Sequence, residues 1–356
     1  MIKRILKIVK NLLILVLGVS SLYLANLFFM KPYSIDHFLG KELVVSLINS
    51  PEALTYIGIF DKFNWLTKHN SKLTVPKEDD LENEIIKTQE ILKKLYKYNN
   101  NNLSDTQKIT KKIAIFDYEN NLKELEDFPH HDYPLNQIGG IHLNTIEFMS
   151  DMHPVRSKSE ADDFIKRVNL IKSVYEGIIE DLEKQSLVGI YPPEFVYERV
   201  INQLDKFISY SYDEHPLYSQ FIKKIKLLDL SKSEKERYEQ DLKNAIDFSV
   251  TPGFKLLRNF MLKTQKNANK NHGIWSQPNG DEYYKLKIRT FTTTDYSPEE
   301  IHQMGLYEVK RISNRMKEIL VSLGFDETKS VGELMNELNE NPEFLYEDTP
   351  DRKERI

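Results

Sequence analysis

The chain has 356 residues, enough for one large domain or two ordinary ones, and its 49 Lys and Arg nearly balance 54 Asp and Glu at a net −5. With no strongly basic block after residue 10, nucleic acid is not the expected partner. The absence of cysteine excludes disulfides, thiol catalysis, cysteine-bound zinc and a cysteine-linked lipid, but leaves the compartment open.

The N-terminus comes first. Lys3, Arg4, Lys7 and Lys10 precede an uncharged run from Leu12 to Met30. As a helix it reaches about 28 Å, close to the hydrocarbon thickness of a bilayer. A cleaved signal has a shorter apolar core and small residues before the cut. Val19-Ser20-Ser21 would leave an apolar Leu22–Met30 behind, and Tyr23-Leu24-Ala25 has a bulky outer residue. The preferred reading is an uncleaved signal anchor over residues 1–30, with a buried core helix as the bland alternative. Four bases before the span against Lys31 after it put residues 31–356 outside the cytoplasm, on a single-pass protein of the cytoplasmic membrane. Cleavage would make the product secreted.

Residues 31–75 are mixed, with Pro51 and Gly58 punctuating short apolar segments. A helix over Asp79–Tyr98 follows from the period of Leu81, Ile85, Leu92 and Leu95. Asn99–Asn102 reads as a loop, and Ser104 caps a helix to about Asp127. The stretch Phe128–His142 is a polar connection. His130 and His131 are adjacent, so they point apart on any regular element and make a poor chelating pair. Asn136 and Gln137 either tie the loop down or face a substrate. Ser159 is expected to cap one long helix to Gly189. Pro192-Pro193 opens another, His215-Pro216 a short one, and Ser233 caps the next. Thr251-Pro252-Gly253 then kinks or breaks the helical pattern.

The stretch Asn279–Phe325 is the most ordered on paper. Leu286 and Ile288 alternate with Lys285, Lys287 and Arg289, the period of a half-buried strand. Gly273–Ser276 supplies a partner strand across the turn Pro278-Asn279-Gly280. Ser297 caps a helix with Pro298 at its first position and acids in its first turn, and Gly324 stops it. Ile301, Met304, Val309, Ile312, Met316 and Ile319 mark its apolar face. His302 lies one position from that face, and Glu308 sits in Gly-Leu-Tyr-Glu-Val. They read either as an interfacial histidine and a surface glutamate paired with a lysine, or as parts of a cleft wall. Six residues apart, about 120° round the helix, they are not paired ligands on one face. The fold expected is mainly α: a multi-helix domain with a small β-hairpin, preceded by one transmembrane helix.

Tyr133-Pro-Leu-Asn-Gln137, Gly189-Ile-Tyr-Pro-Pro193, Thr251-Pro-Gly-Phe254, Gly280-Asp-Glu-Tyr-Tyr284 and the block Ser297–Val309 occur in one order. In these landmarks the chain resembles the N-terminal portion of the bacterial domain-of-unknown-function family 885, over residues 40 to 347. The resemblance implies a secreted or membrane-attached helical protein that looks like a zinc metallopeptidase of carboxypeptidase type. That family's chemistry rests on a helix reading His-Glu-x-x-Pro-Gly-His-His, whose histidines hold zinc while the glutamate activates water.

No such motif is present here. None of the nine histidines is followed by Glu, and no two lie three or four residues apart. No zinc ligand carries over, and zinc is expected only in full-length members. By the resemblance, Tyr283, Tyr284 and His302, with Glu308 on the same helix, line a substrate groove. The expected partners are the membrane, through residues 12–30, peptides in that groove, and a separate C-terminal half. The chain then reads as the N-terminal part of a peptidase-like protein, cut before its catalytic helix and inactive alone. The alternative is a non-catalytic helical peptide-binding module at the membrane surface.

Overall fold

A computed structural model describes residues 2–346 and 349–355. In chain order the helices are α1 Ile2–Phe29, α2 Ile35–Ile48, α3 Pro51–Ile57, α4 Asn64–Thr67, α5 Asp80–Tyr96, α6 Asp105–Asp127, α7 Ile141–Glu147 and α8 Lys158–Val168. They continue with α9 Ile171–Leu187, α10 Glu194–Ser209, α11 Pro216–Lys226, α12 Lys232–Ala245, α13 Thr251–Thr264, α14 Gly280–Thr292, α15 Pro298–Ser322, α16 Val331–Glu340 and α17 Arg352–Arg355. The backbone divides into two compact units, Met1–Tyr284 and Lys285–Ile356.

The expected β-hairpin is absent. No strand occurs among the described residues, where Pro193 and Asn269 form an isolated bridge. The segment read as its second strand is α14, and Ile274–Ser276, read as its first, is a 3-10 turn. The cause is the shortness of the window. Lys285–Arg289 satisfies a period of two, but Gly280, Tyr283 and Leu286 bury every third residue, as a helix does. Asp281 and Glu282 in the first turn and Arg289 in the last complement the helix dipole. Gly280 is required where it stands: a Cβ there would lie 1.9 Å from the carbonyl oxygen of Ile274.

In the first unit, α7 to α13 enclose the main core. Phe164, Val168, Ile171 and Tyr175 meet Leu204, Phe221, Leu242, Phe254 and Leu257, all essentially inaccessible. Stacked rings of Phe164 and Phe221, 4.6 Å apart, join α8 to α11, and those of Phe207 and Phe254, 5.0 Å apart, join α10 to α13. A second, smaller core is built by Ile35 and Phe38 of α2 with Ile91 and Leu95 of α5 and Tyr98 after it.

Helix ends follow local chemistry more closely than the sequence reading placed them. Ser104 caps α6 as expected, and does so in a capping box with Gln107. The cap of α8 is Ser157, not Ser159, and that of α12 is Ser231, which forms a box with Glu234, not Ser233. At α8 the serine three residues before a glutamate, Ser157 before Glu160, wins over Ser159 before Asp162; at α12 both serines have that spacing, to Glu234 and Glu236, and the first of the two is the one that caps. The single helix expected from Ser159 to Gly189 is two, α8 and α9, broken at Asn169-Leu170. The Ser249 hydroxyl lies 3.0 Å from the Val168 oxygen and 3.1 Å from that of Asn169, satisfying carbonyls that the break releases. Pro252 produces the expected irregularity as a π-turn over Ile246–Val250 leading into α13. Gly253 permits the close approach of α13 to α9, where a Cβ would meet the Tyr175 ring at 2.8 Å.

In the second unit, Ser297 caps α15 through a box with Glu300, and Gly324, at φ 95°, ends it. Leu320 and Leu334 are buried between α15 and α16. Much of the apolar surface of α15 is open: Val309 and Ile312 of its apolar face and Leu306 beside it are 64%, 47% and 53% exposed, whereas Ile301 and Met316 are half-buried.

Candidate functional site

The polar loop 128–142 and the turn before α14 meet inside the first unit. Phe128, His131 and Tyr283 form a ring cluster, with centroids 4.9 to 5.4 Å apart. The Tyr283 hydroxyl donates to Asp132 Oδ1 at 2.8 Å, and His131 Nε2 donates to the Pro278 carbonyl at 2.8 Å. Gln277 bonds the Tyr133 hydroxyl. Gln185 of α9 donates to the His130 carbonyl at 2.7 Å and to that of Asp132 at 2.5 Å. Asn136 Oδ1 accepts from the backbone of Ile138 and Gly139, so it ties the loop down.

These groups act as fasteners. Burial, and then the Asp132 carboxylate, push the Tyr283 phenol well above its usual range, so it stays protonated and donates. His131 spends its Nε2 proton on a backbone carbonyl. Beside the junction, Lys77, His130, Asp132, Asp181 and Lys184 line an open polar cavity of about 300 Å³. Burial lowers the His130 pKa, against the attraction of Asp181, which keeps the imidazole neutral near pH 7.

Of the residues expected to line a groove, Tyr283 is buried and turned into this junction, whereas Tyr284, one position on, is half exposed. Both belong to the first unit; His302 and Glu308 belong to the second. His302 is exposed. Glu308 pairs with Arg311, not a lysine, at 2.6 Å, and that bond holds its carboxyl below the usual range. It borders an open depression of about 530 Å³ with Glu299, Glu300, Gln303, Met304 and Tyr307. Three of these acids are already engaged: Glu299 with Gln303, Glu300 with Ser297, Glu308 with Arg311.

Among the described residues, no group of three or more His, Asp and Glu gathers as a metal site. His142 bonds Gln203 at 2.9 Å, His131 bonds Pro278, and His302 stands on an exposed helix surface.

The sequence reading missed a buried guanidinium. Arg167 of α8 is 0% exposed. Its Nε donates to the Lys72 carbonyl at 2.6 Å. Its terminal nitrogens reach the His69 carbonyl at 2.6 Å, Thr55 Oγ1 at 3.0 Å and His153 Nδ1 at 3.0 Å. Burial pulls its pKa down to about 10, and pulls that of His153 well down too, so the imidazole accepts as the neutral base. The available signal was Arg167 in line with Ala161, Phe164 and Val168 on the buried face of α8. Its acceptors come from residues 55–72 and 153, which no local pattern joins to it.

A helical protein with a long apolar N-terminal helix, joined to loop clamps and an internal arginine node, is thus the class defined by the fold. The chain belongs to the family described as bacterial protein of unknown function (DUF885), whose model matches residues 51–356. No curated protein matches it. Among solved structures, a protein described as "putative lipoprotein" from Colwellia psychrerythraea superposes with a TM-score of 0.75 at 24% identity, over 88% of this chain and 56% of that one. A second so described, of unknown function, from Shewanella oneidensis, gives 0.52 at 14%, over 76% and 48%. The likeness is one of fold, and the chain spans about half the length of the structures it matches.

Proposed function

We propose that this chain is the N-terminal part of a membrane-anchored, extracytoplasmic zinc-peptidase-like protein that does not complete a catalytic site by itself. The observation that carries the reading is the unburied apolar surface of α15, Leu306, Val309 and Ile312, in a chain that covers about half of each solved structure it resembles. Such a stripe is the surface a further segment of the same protein class would cover. α1 supports the anchoring: Leu6–Phe29 is long and apolar enough to cross a bilayer and lies open. In this reading Tyr284, His302 and Glu308 belong to scaffold and groove rather than to bond-making.

The test is zinc content and peptide hydrolysis by the purified full chain in detergent. Neither is expected. Near-stoichiometric zinc together with hydrolysis overturns the proposal. The open depression on α15 bordered by Met304 and Tyr307 favours a second reading, a non-catalytic peptide-binding module. Saturable binding of a peptide library without hydrolysis, unchanged when a C-terminal half is co-expressed, supports that reading instead.

A further inference from the structure

The junction between α1 and α2 fixes where α2 lies. Asn26 of α1 is buried; its side chain donates to the Lys31 carbonyl at 3.1 Å and accepts from the Tyr33 amide at 3.1 Å. Tyr98 donates to the Pro32 carbonyl at 2.7 Å. The connection is therefore fastened, not a free tether. The His37 ring in the first turn of α2 meets the Tyr23 ring of α1 edge to face, 5.6 Å between centroids. Tyr23 lies six residues before the end of α1 at Phe29, which is about 9 Å back along the helix. The start of α2 is thus level with the last turns of the apolar helix. From there α2 extends about 21 Å.

The surface that follows is unusually apolar. Leu43, Val44, Ile48, Ile57, Trp65 and Leu66, on α2, α3 and α4, are between 44% and 73% exposed. Ile48, Phe63 and Leu66 also border an open cavity of about 590 Å³ with Pro51, Leu54 and Phe60. The charge on this face is one-sided. Glu52 is taken up by the Thr74 amide and hydroxyl at 2.7 and 2.8 Å, and Asp61 by Arg156 at 2.6 Å. Lys62 and Lys68 are exposed, and among the described residues neither has a carboxylate partner. Tryptophan among aliphatic side chains, ringed by lysines, suits the boundary between acyl chains and anionic headgroups.

We propose that the α2–α4 face rests in the interfacial layer of the bilayer that α1 anchors, with Trp65 among the upper acyl chains and Lys62 and Lys68 on anionic headgroups. This rests on the reading of α1 as a membrane anchor, and the experiment separates the two. The full chain carrying Trp275→Phe, which leaves Trp65 as the one tryptophan, is reconstituted into vesicles of phosphatidylcholine and phosphatidylglycerol. Flotation reads anchoring; quenching by lipids brominated in the upper acyl chain reads contact of the face. The difference between the unaltered chain and Trp65→Phe gives the same signal if the first variant folds poorly.

The expected result is flotation, blue-shifted emission and about a two-fold loss of Trp65 signal in brominated vesicles. Flotation with water-like emission, quenched by iodide and not by bromine, overturns the lipid face and leaves the anchor standing. Blue emission that bromine does not reach means that protein covers Trp65, and also overturns it. Failure to float removes the anchor and the face together.

Discussion

Arg167 in the first unit and α15 in the second invert the usual placement of residues. The first unit hides a full charge, and the second leaves an apolar stripe in the open. The guanidinium is tolerable inside because the Lys72 and His69 carbonyls, Thr55 and His153 meet its protons, replacing water as partners. On α15 the residue buried is Leu320, near the end that packs against α16. Hydrophobic period therefore establishes that a helix forms, but not that anything covers it. A buried charge, by contrast, signals a closed interior, since acceptors from distant segments must converge before it can be left there.

The sharpest way to break this contrast is Arg167→Ala. Removing the guanidinium leaves several buried acceptors facing a void, and an expected loss of about 3–5 kcal/mol. Urea unfolding followed by the emission of Trp65 and Trp275, both in the first unit, measures it. A loss under about 1 kcal/mol would mean that water replaces the guanidinium and that the interior is not closed.

Acid should act on the same unit next most strongly. His215 is buried, its Nδ1 accepts from the Leu217 amide at 3.3 Å, and burial lowers its pKa to about 4. The folded pKa lies below the ordinary 6.5, so the unfolded chain binds the proton first. Stability is full above pH 6.5 and falls by on the order of 3 kcal/mol as pH drops toward 4. His153 and His142 are shifted the same way by burial and add to the loss. The check is denaturant midpoint against pH, with His215→Gln flattening the slope.

The smallest effect belongs to α15. Leu306→Lys should change stability by no more than about 0.5 kcal/mol while reducing self-association in light scattering. A cost above about 2 kcal/mol would show that Leu306 is covered in solution and that the contrast between the units is false.

What the sequence made legible was mostly local. The capped starts of α6 and α15, the proline start of α11, the irregularity before α13 and the apolar α1 follow from neighbours within one turn. The strand reading of Lys285–Arg289 failed because five residues cannot separate a period of two from one of 3.6. The break between α8 and α9 was hidden because its carbonyls are satisfied by Ser249, eighty residues away. For the same reason Tyr283 was legible as a landmark but not as a buried one: its partner Asp132 lies 151 residues back. His302 and Glu308 stood out by type and spacing. Glu308 pairs with Arg311 three residues on, a contact that helical spacing encodes, whereas the exposure of His302 depends on what covers the helix, which spacing does not.

Ser249 sits where two interruptions meet, the π-turn before α13 and the gap between α8 and α9. Besides reaching two carbonyls, its oxygen accepts from the Lys172 amide at 3.1 Å. In most helical proteins an interrupted helix is a place to bend. Here each interruption is clamped by the other, so two weak points become one rivet. The four helices that they join, α8, α9, α12 and α13, thus share one hydroxyl, and losing it would loosen both interruptions together.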